Sequence, residues 1–216
     1  KYIYIYTSIY GLTIAKLFSN FFKSYNIISQ VITSKLTYKT IQKSKENVFF
    51  FIIFPHEIKF ILPRGKFFFY QLEQINTQDK YNNIFNNTIL DNISRSIYTF
   101  DYSKNNLKFY PSTVSNKIIY LPPPCKNIFN NKTVNFKYDI LFYGTLNTRR
   151  KNILRYLKYK YNIFITSKVF DEELESYIKY SKIILNLHYF DSPNLEILRI
   201  HQALPFSNFI ISEGEN

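Results

Sequence analysis

The sequence predicts two α/β domains, each a doubly wound parallel sheet with helices on both faces. Three observations carry this reading. Short apolar runs alternate with segments of helical spacing. Several of those runs are nearly continuous in apolar residues rather than alternating, as strands are when both faces are buried. A triple proline divides the chain into halves that open alike, with an apolar strand, a glycine and a helix.

In chain order, the expected strands are Tyr2–Ser8, Ile27–Thr33, Val48–Phe54, Lys66–Gln71, Ser96–Phe100 and Lys117–Leu121. After a gap come Asp139–Tyr143, Asn162–Thr166, Lys182–His188 and Asn208–Ser212. Val48–Phe54 and Ile183–Leu187 show the continuous apolar pattern most clearly. Leu12–Tyr25 has helical spacing, with Ile14, Leu17, Phe18, Phe21 and Phe22 on one stripe. Arg150–Tyr161 places Ile153, Leu154, Leu157 and Tyr161 together, and Asp171–Ser181 does so with Leu174, Tyr177 and Ile178. Asp171, Glu172 and Glu173 open that last helix and Lys179 ends it, as the helix dipole favours. A final helix follows Asn194, a capping residue, and closes at Pro205.

The boundary falls at Pro122-Pro123-Pro124 and the polar stretch after it. The expected division is residues 1–124, a linker at 125–137, and a second domain from 138 to 216. Both halves read as Rossmann-like and are expected to face a cleft. Only four β-α units begin in the second half, so it reads as truncated.

Composition narrows the function. A hydrophobic fraction of 46% excludes a disordered chain, and no apolar run approaches the roughly 20 residues of a membrane-spanning helix. A single cysteine, Cys125, excludes an intrachain disulfide and a cysteine-rich metal site. The chain has no basic-then-apolar leader and is read as cytoplasmic, although it starts at Lys1 and a leader can have been lost. The net charge of +13 invites nucleic acid as a partner. However, the lysines form no block, and an abundance of Lys, Asn, Ile, Tyr and Phe is what an A+T-rich genome yields, so nucleic acid is read as unlikely. The sequons at Asn86, Asn92 and Asn131 are expected by chance in so asparagine-rich a chain.

Ligands of open parallel sheets bind beyond the strands' carboxyl ends, where strand order reverses. The sharpest candidate there is Gly144-Thr-Leu-Asn147-Thr-Arg149-Arg150. A glycine permits a tight turn, and a helix start offers N–H groups to an anion. Cations at that end oppose the dipole unless a phosphate neutralises them; the alternative is that both arginines are solvated or pair with Asp139. His188 ends an apolar strand, where it is either a donor to phosphate or sugar or a satisfied core residue. Glu196, Arg199 and Ala203 share one strip of the last helix, so Glu196 and Arg199 are either a surface pair or sugar ligands. In the first half Tyr70-Gln71-Leu72-Glu73-Gln74 gathers polar groups at a strand end, and Glu73 is a candidate general base, with a solvated loop as the alternative. His56 is a further candidate. No Asp-x-Asp pair occurs, which disfavours a bound divalent metal, and no hydrolase or metalloprotease motif is present.

The ordered set Asp139-Ile-Leu-Phe-Tyr-Gly144, Asn147-x-Arg149-Arg150, Ile183-x-Leu-Asn-Leu-His188, Leu195-Glu196-x-x-Arg199-Ile200, Ala203-Leu204 and Ile210-Ile-Ser-Glu213 resembles the group 1-type glycosyltransferases with two Rossmann domains, the GT-B fold. The resemblance implies metal-independent transfer of a sugar, of hexosyltransferase type, from a nucleotide-diphosphate donor to a hydroxyl of a glycan, lipid or protein, with no separate cofactor. It implies Gly144, Asn147, Arg149 and Arg150 near the diphosphate, and His188, Glu196, Arg199 and Gln202 toward the donor. Glu73 and His188 are implied as catalytic. Gln202 stands where many relatives have glutamate, and Ser207 where they have glycine. On the same scaffold, a binding protein without turnover is the alternative.

Overall fold

The computed structural model describes residues 1–33, 43, 47–75, 86–126, 135–189, 196–206 and 208–214. The chain divides into two compact units, Lys1–Pro122 and Pro123–Asn216. Most of the expected linker, together with Asn194, Ser207 and the sequon at Asn131, lies outside the described residues.

The first unit is built on a six-stranded sheet. Its strands are β1 Tyr2–Tyr6, β2 Ile28–Ile32, β3 Val48–Ile53, β4 Phe67–Gln71, β5 Thr99–Asp101 and β6 Ile118–Tyr120. They run in the order β2-β1-β3-β4-β5-β6, every pair parallel. Helix α1 spans Leu12–Ser24, α2 Asn87–Arg95, α3 Lys104–Leu107 and α4 Ser112–Ser115.

Strand alternation explains why Val48–Ile53 is apolar throughout. Phe50 and Ile52 join Phe67 and Phe69 in a core completed by Ile89 and Ile93 of α2 and Val114 of α4. Phe51 points the other way, to Phe18 and Phe22 of α1 at 4.8 and 5.9 Å between ring centroids. Burying both faces stabilises by roughly 1.5–3 kcal/mol for each large apolar side chain.

Helices α2 to α4 were not legible in the sequence. Asn86 caps α2 by accepting from Ile89 N–H, and Asn92 on the same helix is fully buried. Its side chain accepts from Leu62 N–H at 2.7 Å and donates to the Phe60 carbonyl at 2.9 Å. Both sequon asparagines are thus structural.

The second unit repeats the plan with β7 Tyr138–Tyr143, α5 Thr148–Lys158, β8 Ile163–Thr166, α6 Asp171–Lys179, β9 Ser181–Asn186, α7 Ile197–Ala203 and β10 Phe209–Ser212. The sheet order is β10-β9-β7-β8, again all parallel. Leu141, Tyr143 and Ile184 pack on Leu174 and Ile178 of α6, whereas Ile140, Phe142 and Leu185 pack on Leu154 of α5. Tyr161, expected on the buried stripe of α5, lies beyond the helix end and is largely exposed.

Both sheets therefore place their first strand between the second and third. Strand order reverses between β1 and β3 in one and between β7 and β9 in the other. The two β-to-α turns at these points each need a glycine. A Cβ on Gly11 would sit 2.2 Å from Thr7 Oγ1 and 2.9 Å from the Phe54 ring. Gly144 has φ +130° and lies against two guanidinium groups.

Candidate functional site

Beyond the carboxyl ends of β7 and β9, three arginines and two glutamates converge on three residues of backbone, Leu187 to Tyr189. Asn147 caps α5, so the helix begins at Thr148 rather than at Arg150. Its Oδ1 accepts from Arg150 N–H at 2.9 Å and its Nδ2 donates to the Tyr189 carbonyl at 2.5 Å.

Arg150, at the end of that first turn, is only 2% exposed. Its guanidinium donates to the carbonyls of Thr145 at 2.7 Å, Leu187 at 2.6 Å and His188 at 3.2 Å, and to Glu196 Oε1 at 2.9 Å. It also stacks on Phe142 and Tyr189, with Cζ 5.4 and 5.2 Å from the ring centroids. Burial lowers its pKa, Glu196 opposes the shift and Arg199 adds to it, so the group sits at about 10 and remains charged at neutral pH.

Arg199 of α7 is also buried, at 7% exposure. Its Nε donates to the Tyr143 carbonyl at 3.0 Å, and its Nη1 donates to Asn186 Oδ1. Its Cζ lies 5.3 Å from the Phe142 and Tyr143 ring centroids. Of the two alternatives for Glu196 and Arg199, the surface pair does not form. Helix α7 turns Arg199 inward to β9, and Glu196 instead meets Arg150 and accepts from Tyr189 N–H at 2.9 Å.

Arg149 takes Glu213, just after β10, in a two-pronged ion pair, and donates to the His188 carbonyl at 3.3 Å. Glu213 accepts from His188 N–H at 2.5 Å as well. Burial raises the Glu213 carboxyl, but Arg149 and the His188 N–H outweigh it and hold the group below its ordinary value. Neither arginine uses Asp139, which pairs with Lys182. The sequence motif had placed Glu213 beside a strand end without assigning it a partner.

Gly144, Asn147, Arg149, Arg150, His188, Glu196 and Arg199 thus meet at one switch point. His188 is buried there. Gln202 sits half-buried on α7. Three guanidinium groups against two carboxylates (3 − 2) leave one net positive charge. An ensemble of this kind can hold an anion, since buried guanidinium groups bond oxyanions strongly.

Glu73 belongs to the first unit. Its carbonyl accepts from Asn106 Nδ2 at 3.0 Å, and Asn106 Oδ1 accepts from Ile75 N–H at 3.1 Å, so Asn106 fastens the loop after β4. Behind it Asp101 accepts from Asn106, from Ser103 N–H at 2.8 Å and from the Tyr110 hydroxyl at 2.7 Å. Burial pushes the Asp101 carboxyl up to about 6 against these hydrogen bonds. His56 lies half-buried after β3, and burial, then Lys59, lowers its pKa. Among the described residues no three His, Cys, Asp or Glu side chains gather as metal ligands, and no helix is long and apolar enough to cross a membrane.

The chain aligns over 98% of its length with an alpha-glucosyltransferase solved with UDP and a 13-mer DNA containing a HMU base, at a TM-score of 0.60 and 10% identity, covering 79% of that chain. An alpha-glucosyltransferase solved with UDP-glucose and DNA containing an abasic site gives 0.54 at the same identity and coverage. The fold is that of the GT-B-type glycosyltransferases. No family model matches the sequence. Uncharacterized protein R358 of Acanthamoeba polyphaga mimivirus is 33% identical over 132 residues, 60% of this chain and 45% of that protein. The chain therefore spans less than half the length of this curated relative. Both solved structures contain DNA, so the reading of nucleic acid as an unlikely partner gains no support from them.

Proposed function

We propose that the second unit binds the diphosphate of a nucleotide sugar, and that the protein transfers the sugar to an acceptor hydroxyl without a metal ion. The observation that carries this reading is the pair of buried arginines, Arg150 and Arg199, set against Gly144 where strand order reverses. As a glycosidic bond breaks, negative charge grows on the leaving diphosphate, and fixed cations stabilise it more in that state than before. The lack of an Asp-x-Asp pair in the sequence supports protein cations, rather than a metal ion, in that role. GT-B-type neighbours crystallised with UDP and UDP-glucose support a uridine nucleotide as donor. In this reading Arg149, Asn147 and His188 border the diphosphate, Glu196 and Gln202 the sugar or ribose, and Glu73 serves the acceptor. DNA belongs among the acceptors to be tried, together with glycan, lipid and protein.

Thermal denaturation with UDP, UDP-glucose and GDP-sugars, with and without EDTA, tests the donor step. A ligand present at 100 times its Kd adds about 2.7 kcal/mol of stability. Arg199→Lys, which keeps the charge but loses the planar fork, should reduce the shift at least tenfold in Kd. No shift with any nucleotide sugar would overturn the reading. Gln202, uncharged where the resemblance leads one to expect a carboxylate, favours a second reading, in which donor binds without turnover. Donor binding with no sugar transferred or hydrolysed would select it.

A further inference from the structure

The outward face of α5 carries two parallel rows. Lys151, Arg155 and Lys158 follow one another at i, i+4 and i+7, and beside them run Asn152, Tyr156 and Tyr159 at the same spacing. Arg150 and Leu154, on the opposite face, are buried. Tyr156 is 72% exposed and Tyr159 84%, and Tyr161 just beyond is 48% exposed. Lys151, Arg155, Lys158 and Lys160 are exposed too.

Among the described residues none of these four cations meets a carboxylate, whereas Arg95, Lys126, Arg149, Arg150 and Lys182 each do. From Ile140 to Phe170 the sequence holds seven Lys and Arg and no Asp or Glu. The helix dipole accounts for Arg155 and Lys158 in the last turn. It accounts neither for Lys151 near the first turn nor for adjacent tyrosine rings left in water.

We propose that this face binds single-stranded nucleic acid. A row of cations tracks a phosphate backbone, and an adjacent row of exposed rings stacks on unpaired bases. The side-by-side arrangement matches a strand, which carries phosphates on one edge and bases on the other. A lipid surface instead calls for a central apolar stripe flanked by cations, and no aliphatic residue lies in either row. The proposal is independent of sugar transfer, because these rows lie on the side of α5 away from Arg150.

Fluorescence anisotropy with labelled oligothymidine and oligoadenosine dodecamers, single-stranded and annealed, between about 50 and 200 mM salt, tests it. The single strands should bind better than the duplex. Tyr156→Ala with Tyr159→Ala should weaken single-strand binding by about tenfold or more. Lys151→Gln with Arg155→Gln and Lys158→Gln should lower the salt slope by roughly two, about 0.7 for each lost phosphate contact. Melting temperatures and nucleotide-sugar shifts of these variants should match the wild type, which separates this proposal from the donor reading. Absent binding at the lowest salt, duplex preference, unchanged binding by both variants, or stronger binding to phosphatidylserine vesicles than to the oligonucleotides would each overturn it.

Discussion

Arg199 Nη2 lies 2.9 Å from the point that a Cβ on Gly144 would occupy, and Arg150 Nη1 lies 3.7 Å from it. With φ at +130°, Gly144 also holds a backbone conformation that side-chain-bearing residues rarely adopt. Gly144→Ala should therefore destabilise by about 1–3 kcal/mol and displace Arg199 from Asn186. Urea denaturation checks the first effect, and nucleotide-sugar affinity the second. A midpoint equal to that of the wild type would show that the turn has room to spare.

Phe142 is fully buried beneath both Arg150 and Arg199. Phe142→Leu keeps an apolar side chain but removes the ring face on which two desolvated cations rest. Each such contact is worth up to about 2 kcal/mol, so the loss should exceed the roughly 1.5 kcal/mol of a tolerated core exchange. The same exchange at Phe69, which lies in the first core away from these arginines, serves as the control. Equal losses at the two sites would show that packing alone accounts for the effect.

Acid should act in opposite directions on the two units. Asp101 is raised to about 6, so the folded chain holds its proton more tightly than the unfolded chain. Its contribution is full below about pH 4, falls by roughly 3 kcal/mol as pH rises toward 6, and is level above that. Glu213 is depressed, so its contribution is present above its ordinary range and fades as pH falls through its folded value. Denaturant midpoints from pH 3 to 7 for wild type, Asp101→Asn and Glu213→Gln should separate the two slopes. An Asp101→Asn profile parallel to that of the wild type would contradict the assigned burial cost.

Asn106 is fully buried and satisfies Ile75 N–H, the Glu73 carbonyl and Asp101 together. Asn106→Leu should cost about 2–4 kcal/mol, since it strands several buried polar groups at once. Asn106→Asp, which retains the acceptor for Ile75 but sets a second carboxylate beside Asp101, should be worse at pH 7 than at pH 5. If it were equally stable at both, the Asp101 carboxyl would not face that side chain.

The fold was legible because it rests on patterns a few residues long. Val48–Ile53 announces itself as a doubly buried strand by lacking polar residues at alternate positions, and Ile183–Leu185 forms a shorter apolar run of the same kind. Helix α2 is not legible in the sequence because its buried positions, Ile89, Asn92 and Ile93, include an asparagine whose role depends on Leu62 and Phe60, far away in sequence. Gly144, Arg149, Arg150 and Arg199 were legible as a cationic turn and helix. The partners of Arg149 and Arg150 were not, because Glu196 and the carbonyls of Leu187 and His188 reach them only across two crossovers, and Glu213 across three.

The sequence alone determined the alternation of strands and helices and the positive charge that gathers after Tyr143. These follow from local periodicity and residue type, which act over a few ångströms of chain. Tertiary structure decided which cations are buried at the switch point and which stand in water. Arg150 and Lys151 are neighbours in sequence, yet one helix turn buries the first against Phe142 and leaves the second exposed. Only the packing of α5 on its sheet, which fixes the helix's rotation about its axis, sets that difference.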